Sequence, residues 1–348
     1  MAVSLNQGGK VMYTNQIRSF LYSGLICMAA LVLPAITSCN SSESDSEAIE
    51  YTGITTQAVI DNNNAEDVLM GPMIGGELNT GMSAFGAIDA NSMSGKGSLP
   101  VIKILTTLGR SLNNLDYTFD HEDLPAASSA IAAYTDIDYG DCGGSLSYNL
   151  QMDDQTYAFT GYFSANSFCN DDMTISGEMT ALGQFNAATQ GFTSLTMTYD
   201  ALSFIEDDTS MTFDGTVVIV PSGTVLTITL DAKMKDNNTG EVYWYENFVL
   251  TYTEATTYDQ FSISGRFFEP NHGYVNLNTT TAFITNTDED YPSQGVLVTT
   301  GAAGSEGGST KAMLTALSSS TYNVQADTNG DGTYDYDSGV LNWADSEL

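Results

Sequence analysis

The stretch Thr224-Val-Leu-Thr-Ile-Thr-Leu-Asp-Ala-Lys-Met-Lys235 decides the fold class, because apolar and polar side chains alternate along it without a break. Every second residue from Leu226 to Met234 is apolar, so these side chains fall on one face of an extended chain. The Thr, Asp and Lys side chains between them fall on the other face, whereas an amphipathic helix would need a period of about 3.6 residues. The stretch therefore predicts a β-strand with one buried face and one solvated face.

Comparable alternating runs follow one another from Cys142 to the end of the chain, and clusters of Asp, Asn and Gly separate them, as at Asn170-Asp171-Asp172. Such clusters are typical of tight turns between antiparallel strands. The pattern predicts an antiparallel meander of roughly twelve strands. The alternating runs span residues 145–152, 156–168, 173–185, 194–205, 210–220, 224–235, 241–253, 259–268, 273–285, 295–300, 311–326 and 333–343.

Four of these runs contain a glycine flanked by apolar residues in the order apolar, Thr/Ser/Asp, Gly, any residue, apolar: Gly161, Gly177, Gly215 and Gly265. Glycine inside a strand usually marks a bulge or a sharp bend, and several bends favour a sheet that curls on itself. The alternative is that they are small residues beneath large neighbours. We predict a mainly β fold in which the antiparallel meander closes into a β-barrel or sandwich.

The region before these runs has a helical period instead. Asn64 followed by Glu66 and Asp67 predicts a helix start, since a capping side chain and first-turn acids stabilise the N-terminal end of a helix. Apolar side chains at helical spacing predict two helices, over 64–89 and 100–115. Each helix has a single apolar stripe, so we expect both to pack on or in the β domain.

Charge is distributed unevenly along the chain, which has 43 acidic and 9 basic residues among its 348 and a formal net charge of −34. No acid precedes Cys39, whereas the basic Lys10 and Arg18 do. The strongly acidic remainder argues against nucleic acid and anionic membrane surfaces as partners, because both are polyanions. With 42% hydrophobic and 10% aromatic residues, the chain has enough apolar side chains to build a core.

The first 39 residues have the features of a secretory signal. A basic segment leads into the apolar residues 20–33, which are too few for a spanning helix because that needs about 20 residues. The apolar part ends in Ile36-Thr37-Ser38-Cys39, where an aliphatic residue stands three positions before a cysteine with small residues between them. This ending resembles the lipobox of bacterial lipoprotein signal peptides.

The lipobox resemblance implies cleavage before Cys39, with acyl chains such as palmitate on its sulfur and its new amino group. More than one acyl chain gives stable anchoring, so the resemblance also implies a membrane partner at Cys39. Asn40 after the cysteine implies sorting to the outer membrane, with the periplasmic and the surface-facing side both open. The alternative is an ordinary signal peptide in which Cys39 is incidental, and Met12 is an alternative start because residues 12–38 still form a complete signal.

The residues after Cys39 form a polar, acidic run without an apolar side chain, which predicts a flexible tether. The predicted organisation is a signal peptide at 1–38, an acidic tether at 39–50, a helical N-terminal region at 51–141 and an antiparallel β domain at 142–348.

Two cysteines remain after Cys27 leaves with the signal and Cys39 is lipidated: Cys142 and Cys169. Two remaining cysteines in an exported protein favour one disulfide. Folding the chain about the turn at 153–155 brings position 142 opposite residues 167–169, so the bridge would close the open end of a hairpin. The sequence therefore predicts a Cys142–Cys169 disulfide.

The stretch Asp327-Thr-Asn329-Gly-Asp331-Gly332-Thr333-Tyr-Asp335 has oxygen-bearing side chains at alternate positions, which suits a hard cation. It resembles the calcium loops of EF-hands, dockerins and thrombospondin-type repeats. The resemblance implies a structural Ca²⁺ bound by Asp327, Asn329, Asp331, Thr333 and Asp335. The alternative is a hairpin turn, which needs the same Asn-Gly and Asp-Gly pairs for positive φ alone.

This loop departs from the calcium-binding pattern at position 12, where Ser338 replaces the bidentate Glu. Asp337 at position 11 is the candidate substitute. The flanking segments alternate as strands do, whereas an EF-hand has helices there.

Signals for catalysis are poor. The two histidines, His121 and His272, are far apart in sequence, and there is no nucleophile elbow, zinc-protease motif or phosphate loop. Tyr243-Trp244-Tyr245 and Trp343 are candidates for stacking on a sugar, but core and cross-strand packing is favoured because adjacent strand residues face opposite sides. We predict that the chain is not an enzyme.

The lipobox, tether, β-rich body and calcium-like loop together resemble a β-rich family of bacterial lipoproteins, and this resemblance implies no particular activity. We predict a lipid-anchored cell-envelope protein that binds a small-molecule or protein ligand or has a structural role. One alternative is an outer-membrane β-barrel channel, which the Thr- and Ser-rich exposed faces disfavour. A second alternative is a carboxylate-based hydrolase.

Overall fold

The computed structural model describes residues 48–76, 131–153, 156–170, 173–186, 191–206, 209–287 and 289–346. Antiparallel strands dominate these residues, and each strand pairs with the next one along the chain in a single 14-stranded sheet. The strands are β1 (Ile131–Tyr139), β2 (Gly143–Asp153), β3 (Ala158–Asn170), β4 (Met173–Asn186), β5 (Gly191–Glu206), β6 (Thr209–Ser222), β7 (Val225–Asp236), β8 (Val242–Glu254), β9 (Tyr258–Glu269), β10 (Gly273–Asn286), β11 (Gln294–Ala303), β12 (Ser309–Ser318), β13 (Thr321–Asp327) and β14 (Tyr336–Asn342).

The predicted mainly β fold and the antiparallel meander are confirmed. Among the described strands, β1 pairs only with β2 and β14 only with β13, so the sheet has two free edges and is not closed. The predicted closure into a barrel or sandwich is therefore not seen in the described part of the chain.

The sheet has two strands more than the alternating runs predicted. The run at 311–326 is two strands, β12 and β13, joined by the short turn at Ser319 and Ser320. The other additional strand is β1, which lies before Cys142, where the alternation was expected to begin.

Strand β7 shows how the alternation builds the sheet. Ile228, Leu230, Ala232 and Met234 are buried, while Asp231 between them is exposed. We call the face that carries the buried side chains the inner face and the opposite one the outer face. Inner-face side chains from β2 through β13 belong to one hydrophobic cluster, which excludes water from a continuous apolar surface along the meander.

Among the irregularities in strand pairing, three bulges, in β3, β5 and β8, share a backbone feature. At each bulge one non-glycine residue has positive φ: Ser167 at 50°, Ala201 at 45° and Asn247 at 47°. A bulge adds one unpaired residue to a strand, bends it and increases its twist. These bulges therefore curve a sheet whose long strands would otherwise lie flatter.

Glycines of the predicted motif stand beside these bulges. Gly177, Gly215 and Gly265 have φ of 124°, 139° and 123°, which L-residues rarely adopt. A Cβ on Gly265 would lie 2.3 Å from the carbonyl oxygen of the bulged Asn247. The prediction that the motif glycines mark bulges is thus confirmed for these three, whereas Gly161 has no positive φ among the described backbone torsions.

The first predicted helix begins later than predicted, as α1 (Asp67–Gly76); its predicted continuation over 77–89 and the helix predicted over 100–115 lie outside the described residues. The N-terminal capping involves one residue more than predicted, because Asp61 accepts the N–H groups of Asn63 and Asn64 while the Asn64 side chain accepts the N–H of Asp61. Asn64 is buried and its amide donates to the carbonyl of Val59. Among the described residues, none forms a helix of the length and hydropathy that crossing a membrane requires.

Helix α1 packs on the inner face of the sheet. Val68, Leu69 and Met73 are fully buried. The hydroxyl of Tyr245 in β8 donates to the carbonyl of Gly71 at 3.2 Å, and the hydroxyl of Tyr322 in β13 donates to Glu66 at 2.8 Å. The helix therefore covers the inner face toward the C-terminal half of the meander.

The residues before α1 join the sheet as an added extended segment. The N–H of Ala58 donates to the carbonyl of Tyr274 in β10, and its carbonyl accepts from Ala302 in β11. The chain is thus inserted between the start of β10 and the end of β11. Earlier along the chain, Ile49 lies on the outer face, where its N–H donates to Asp214 and its carbonyl accepts from Lys233.

Candidate functional site

The calcium-like loop joins β13 to β14 and lies against the β11–β12 turn. Asp327, the last residue of β13, is only 2% exposed. The carbonyl of Asn329 accepts from the N–H of Glu306 at 2.9 Å, which fixes the loop to that turn. A Cβ on Gly304 would lie 2.2 Å from the same Asn329 oxygen, so the two backbones approach closely.

The Asp327 carboxylate stabilises the loop by accepting hydrogen bonds from the backbone of the loop. One carboxylate oxygen accepts the N–H of Gly330 at 2.8 Å and the other accepts the N–H of Gly332 at 2.9 Å. Gly330 and Gly332 have φ of 80° and 90°, so the turn requires the conformational freedom of glycine at both positions. Each Asp327 oxygen retains a second lone pair.

The other predicted ligands also bond to nearby backbone. Asn329 accepts the N–H of Asp331, and Asp331 accepts the N–H of Thr333. Asp335 accepts both the N–H and the hydroxyl of Thr328. Within the described ranges, no three His, Cys, Asp or Glu side chains are grouped so that they could hold a metal ion.

The two residues at positions 11 and 12 of the loop, Asp337 and Ser338, bond to β13 and to nearby backbone. Asp337 accepts the side-chain amides of Asn323 and Gln325 in β13, together with the N–H of Gly339. Ser338 accepts the N–H of Val324. Both side chains therefore take part in the pairing of β13 with β14.

Local donors favour the charged forms of two carboxyls in this segment. The N–H and then the hydroxyl of Thr328 hold the pKa of Asp335 below its ordinary value. The N–H of Gly339, followed by the amides of Asn323 and Gln325, does the same to the pKa of Asp337.

The cysteines lie where the sequence predicted them. Cys142 and Cys169 are at disulfide distance, with Cα atoms 5.1 Å apart, and Gly143 pairs with Cys169 across the β2–β3 hairpin. The lipidation candidate Cys39 and the histidine His121 lie outside the described residues.

The aromatic run at 243–245 divides between the two faces of the sheet. Tyr245 is buried on the inner face, with its ring 5.2 Å from that of Phe248. Trp244 lies on the outer face and stacks on Phe268 at 4.3 Å, and Tyr51 of the N-terminal segment packs against both rings. Local sequence patterns could not predict this arrangement, because Tyr51 is 193 residues from Trp244 and 217 residues from Phe268.

Trp343 is a core residue. It is fully buried and stacks with Tyr322, at a centroid distance of 4.4 Å, and with Tyr291, at 6.0 Å. Its indole N–H donates to the carbonyl of Ser318. The packing of Trp343 leaves no ring face for a ligand.

A shallow cleft of about 280 Å³ lies next to Trp343, and sequence reasoning missed it. It forms where the β10–β11 loop, the β12–β13 turn and the 3₁₀ turn at Trp343–Asp345 meet. Its lining residues are Glu289, Asp290, Tyr291, Ser319, Ser320 and Ala344. These residues come from three separate segments of the chain, so no local sequence motif indicates the cleft.

His272 lies in the turn before β10, next to the start of α1. Its Nε2 lies 3.4 Å from a carboxylate oxygen of Asp67 at the start of α1. Glu269 in the same turn is buried and accepts the N–H groups of Asn271 and His272, which is a structural use of a carboxylate.

Comparisons with protein-family models, with curated proteins and with solved structures found no match to this chain.

Proposed function

We propose that the chain is a lipid-anchored protein of the cell envelope, attached to the outer membrane through Cys39, whose β domain binds a ligand or partner or has a structural role. The observation that carries the proposal is the Cys142–Cys169 pair at disulfide distance. Disulfides persist in oxidising compartments outside the cytosol, so the pair supports export. It agrees with the lipobox ending at Cys39.

The outer face supports a domain that lies outside the bilayer. Charged side chains stand within the strands on this face, among them Asp214 in β6, Asp231 and Lys233 in β7 and the ion pair between Glu246 and Arg266. A basic side chain facing lipid at the bilayer midplane costs about 2–4 kcal/mol. A lipid-facing role for these strands is therefore disfavoured, and the channel is the weaker alternative.

The cleft offers little support for the second alternative, a carboxylate-based hydrolase. Glu289 and Asp290 line the cleft, but hydrogen bonds from Asn286 and then Ser319 hold the pKa of Glu289 below its ordinary value. A general acid that works near neutral pH needs a raised pKa instead.

The anchoring proposal is tested by following the protein through the cell envelope with and without its cysteine. We expect the wild-type protein to label with palmitate, to fractionate with membranes and to accumulate as a precursor in globomycin. Cys39→Ser should abolish labelling, whereas the matched change Cys27→Ser, inside the signal, should leave it intact. Labelling that persists in Cys39→Ser, or processing that ignores globomycin, would contradict lipid anchoring.

We further propose that the loop at 327–335 binds Ca²⁺ in a structural role. The support is chemical, because carboxylate and amide oxygens are the donors Ca²⁺ prefers, and the nearly buried Asp327 keeps a free lone pair on each oxygen. Asp327, Asn329, Asp331, the carbonyl of Thr333 and Asp335 would hold the ion.

Thermal melts in calcium and in chelator test the calcium proposal. We expect Ca²⁺ to raise the melting temperature of the wild-type protein, and Asp331→Asn to remove most of that increase. Asp345→Asn, which removes the same charge outside the loop, is the control. Melts that do not differ, together with no heat of Ca²⁺ binding, would refute the site.

A further inference from the structure

The cleft beside Trp343 has walls that are fixed by the packing behind them. Tyr291 stacks on the buried Trp343 with the two rings 7° from parallel. The backbone N–H of Trp343 donates to the carbonyl of Ser320 at 3.1 Å, and its indole N–H donates to Ser318. The aromatic wall and the serine wall are thus tied together, and a ligand would meet a preformed surface.

The charged side chains that line the cleft are all acidic. Glu289 and Asp290 line it, and its lining contains no Lys, Arg or His. Asn286 donates to Glu289 at 2.6 Å and orients that carboxylate. An anionic ligand would be repelled here, whereas an ammonium group would gain charge-assisted hydrogen bonds.

The remaining lining groups suit a ligand that is both hydroxylated and partly apolar. The Ser319 hydroxyl bonds to Glu289 and the Ser320 hydroxyl to Ser318, and each oxygen keeps a lone pair that can accept from a ligand. The Tyr291 ring offers an apolar, cation-attracting surface. A volume of about 280 Å³ lies just below the range of about 300–1,000 Å³ for ligand pockets, which suits a single ring and not an extended chain.

We propose that this cleft binds a small hydroxylated ligand with one ammonium group, of the amino-sugar class. The inference rests on the ligand-binding role proposed above and names the site and the chemistry of the ligand. It does not depend on the lipid anchor or on Ca²⁺.

Three sugars of nearly the same shape test the proposal, because they differ mainly in charge. Glucosamine, glucose and glucuronate are titrated into the full mature protein at low ionic strength, with ligand-observed NMR as the readout. We expect glucosamine to bind at least about tenfold more tightly than glucose, a difference of about 1.4 kcal/mol, and glucuronate to bind least. Added salt should weaken glucosamine binding, since the cleft is open to solvent.

Two variants locate the binding. Asp290→Asn removes one carboxylate without changing the size of the side chain, and it should weaken glucosamine binding by at least about fivefold. Glu306→Gln makes a similar change in the β11–β12 turn, at the other end of β12, and should leave binding unchanged.

Equal binding of the three sugars, undiminished binding in Asp290→Asn, or no detectable glucosamine binding by the wild-type protein would overturn the proposal. None of these outcomes affects membrane anchoring, which the Cys39→Ser comparison measures separately.

Discussion

At the scale of single residues, the acids of the 327–335 loop act first on their own backbone. Asp327 and Asp335 each accept two donors within the loop, and the glycines at 330 and 332 supply the positive φ that this wrapping requires. The same hydrogen bonds suit a metal-free turn and a cation site. The residue pattern predicted the turn correctly but does not distinguish between these two uses.

Asp335→Asn should lower the stability of the protein at neutral pH. The stability difference between wild type and variant should be smaller at acid pH. The folded-state pKa of Asp335 is lowered, so its charged form stabilises the fold above the unfolded-state pKa of about 3.9. That contribution is lost as pH falls through the folded-state pKa. Melting temperatures at pH 7, 5 and 3 should show a gap between wild type and variant that narrows toward pH 3. A gap that stays constant over this range would contradict the assignment.

Gly265→Ala should destabilise the sheet more than Gly143→Ala. Both glycines have nearly the same φ, 123° and 126°, so the backbone strain of an alanine is matched. Only Gly265 meets a neighbour, because its Cβ would lie 2.3 Å from the Asn247 oxygen, whereas Gly143 faces open space. We expect an additional loss of about 1–3 kcal/mol from the clash, measured by urea unfolding. Equal losses would show that the bulge accommodates the methyl group.

Each bulge pairs a bulged residue with a glycine on the neighbouring strand, and the glycine motif predicted only the glycine. Gly177, Gly215 and Gly265 could be predicted because glycine weakens a strand interior and therefore usually marks a bulge or bend where it interrupts an alternating run. Their partners Ser167 and Ala201 could not, since nothing in the local sequence separates a bulged residue from its neighbours. The positive φ of these partners follows from strand pairing, which is a property of two segments.

At the scale of elements, turn chemistry decided which strands could be predicted. Most strand boundaries coincide with Asp, Asn or Gly clusters, as at the β7–β8 turn, where Asp236 accepts from Asn238 and Thr239. The β12–β13 turn has only Ser319 and Ser320, so the run at 311–326 looked like one strand. The part that Asp61 takes in capping the turn before α1 was missed, because Asp61 lies further from the apolar pattern than Asn64 does.

Reducing the Cys142–Cys169 pair should destabilise the β2–β3 hairpin and, with it, the sheet. The two cysteines are separated by 27 residues, and the chain-entropy estimate for a loop of this size is about 3–4 kcal/mol. Urea unfolding with and without reductant should show this loss. The double variant Cys142→Ser and Cys169→Ser should match the reduced wild type and be insensitive to reductant. A reductant effect that persists in the double variant would assign it to another group.

At the scale of the whole molecule, the central question is how far the sheet curls. One buried cluster runs from β2 to β13 on the inner face, charged side chains stand on the outer face, and bulges in three strands add twist. Closure could not be settled from the sequence, because alternation reports which residues share a face and not where the two edges lie.

The bulges and the continuous inner-face cluster predict a curled sheet whose two edges lie closer together than they would in a flat one. A flat sheet of 14 strands would separate β1 from β14 by about 60 Å at a strand spacing of about 4.8 Å. Spin labels at the exposed positions Ile137 and Val340, in a protein with Cys39→Ser, should therefore report a much shorter distance, below about 30 Å. A distance near that of the flat sheet would contradict the curled form.

The candidate cleft shows the limit of sequence reasoning at this scale. Its lining comes from the β10–β11 loop, the β12–β13 turn and the C-terminal 3₁₀ turn, and the burial of Trp343 brings them together. The sequence placed Trp343 correctly among packing residues. The cleft beside Trp343 could be found only in the folded structure, because its lining comes from three separate segments.

The chemical identity of the mature N-terminus tests the central claim most directly. Mass spectrometry of the N-terminal peptide from the membrane-extracted protein should find Cys39 as the first residue, carrying diacylglycerol on its sulfur and a further acyl chain on its amino group. The acidic residues from Asn40 onward should follow it unmodified. A mature protein that begins at another residue, or that carries Cys39 without lipid, would contradict lipid anchoring at this cysteine.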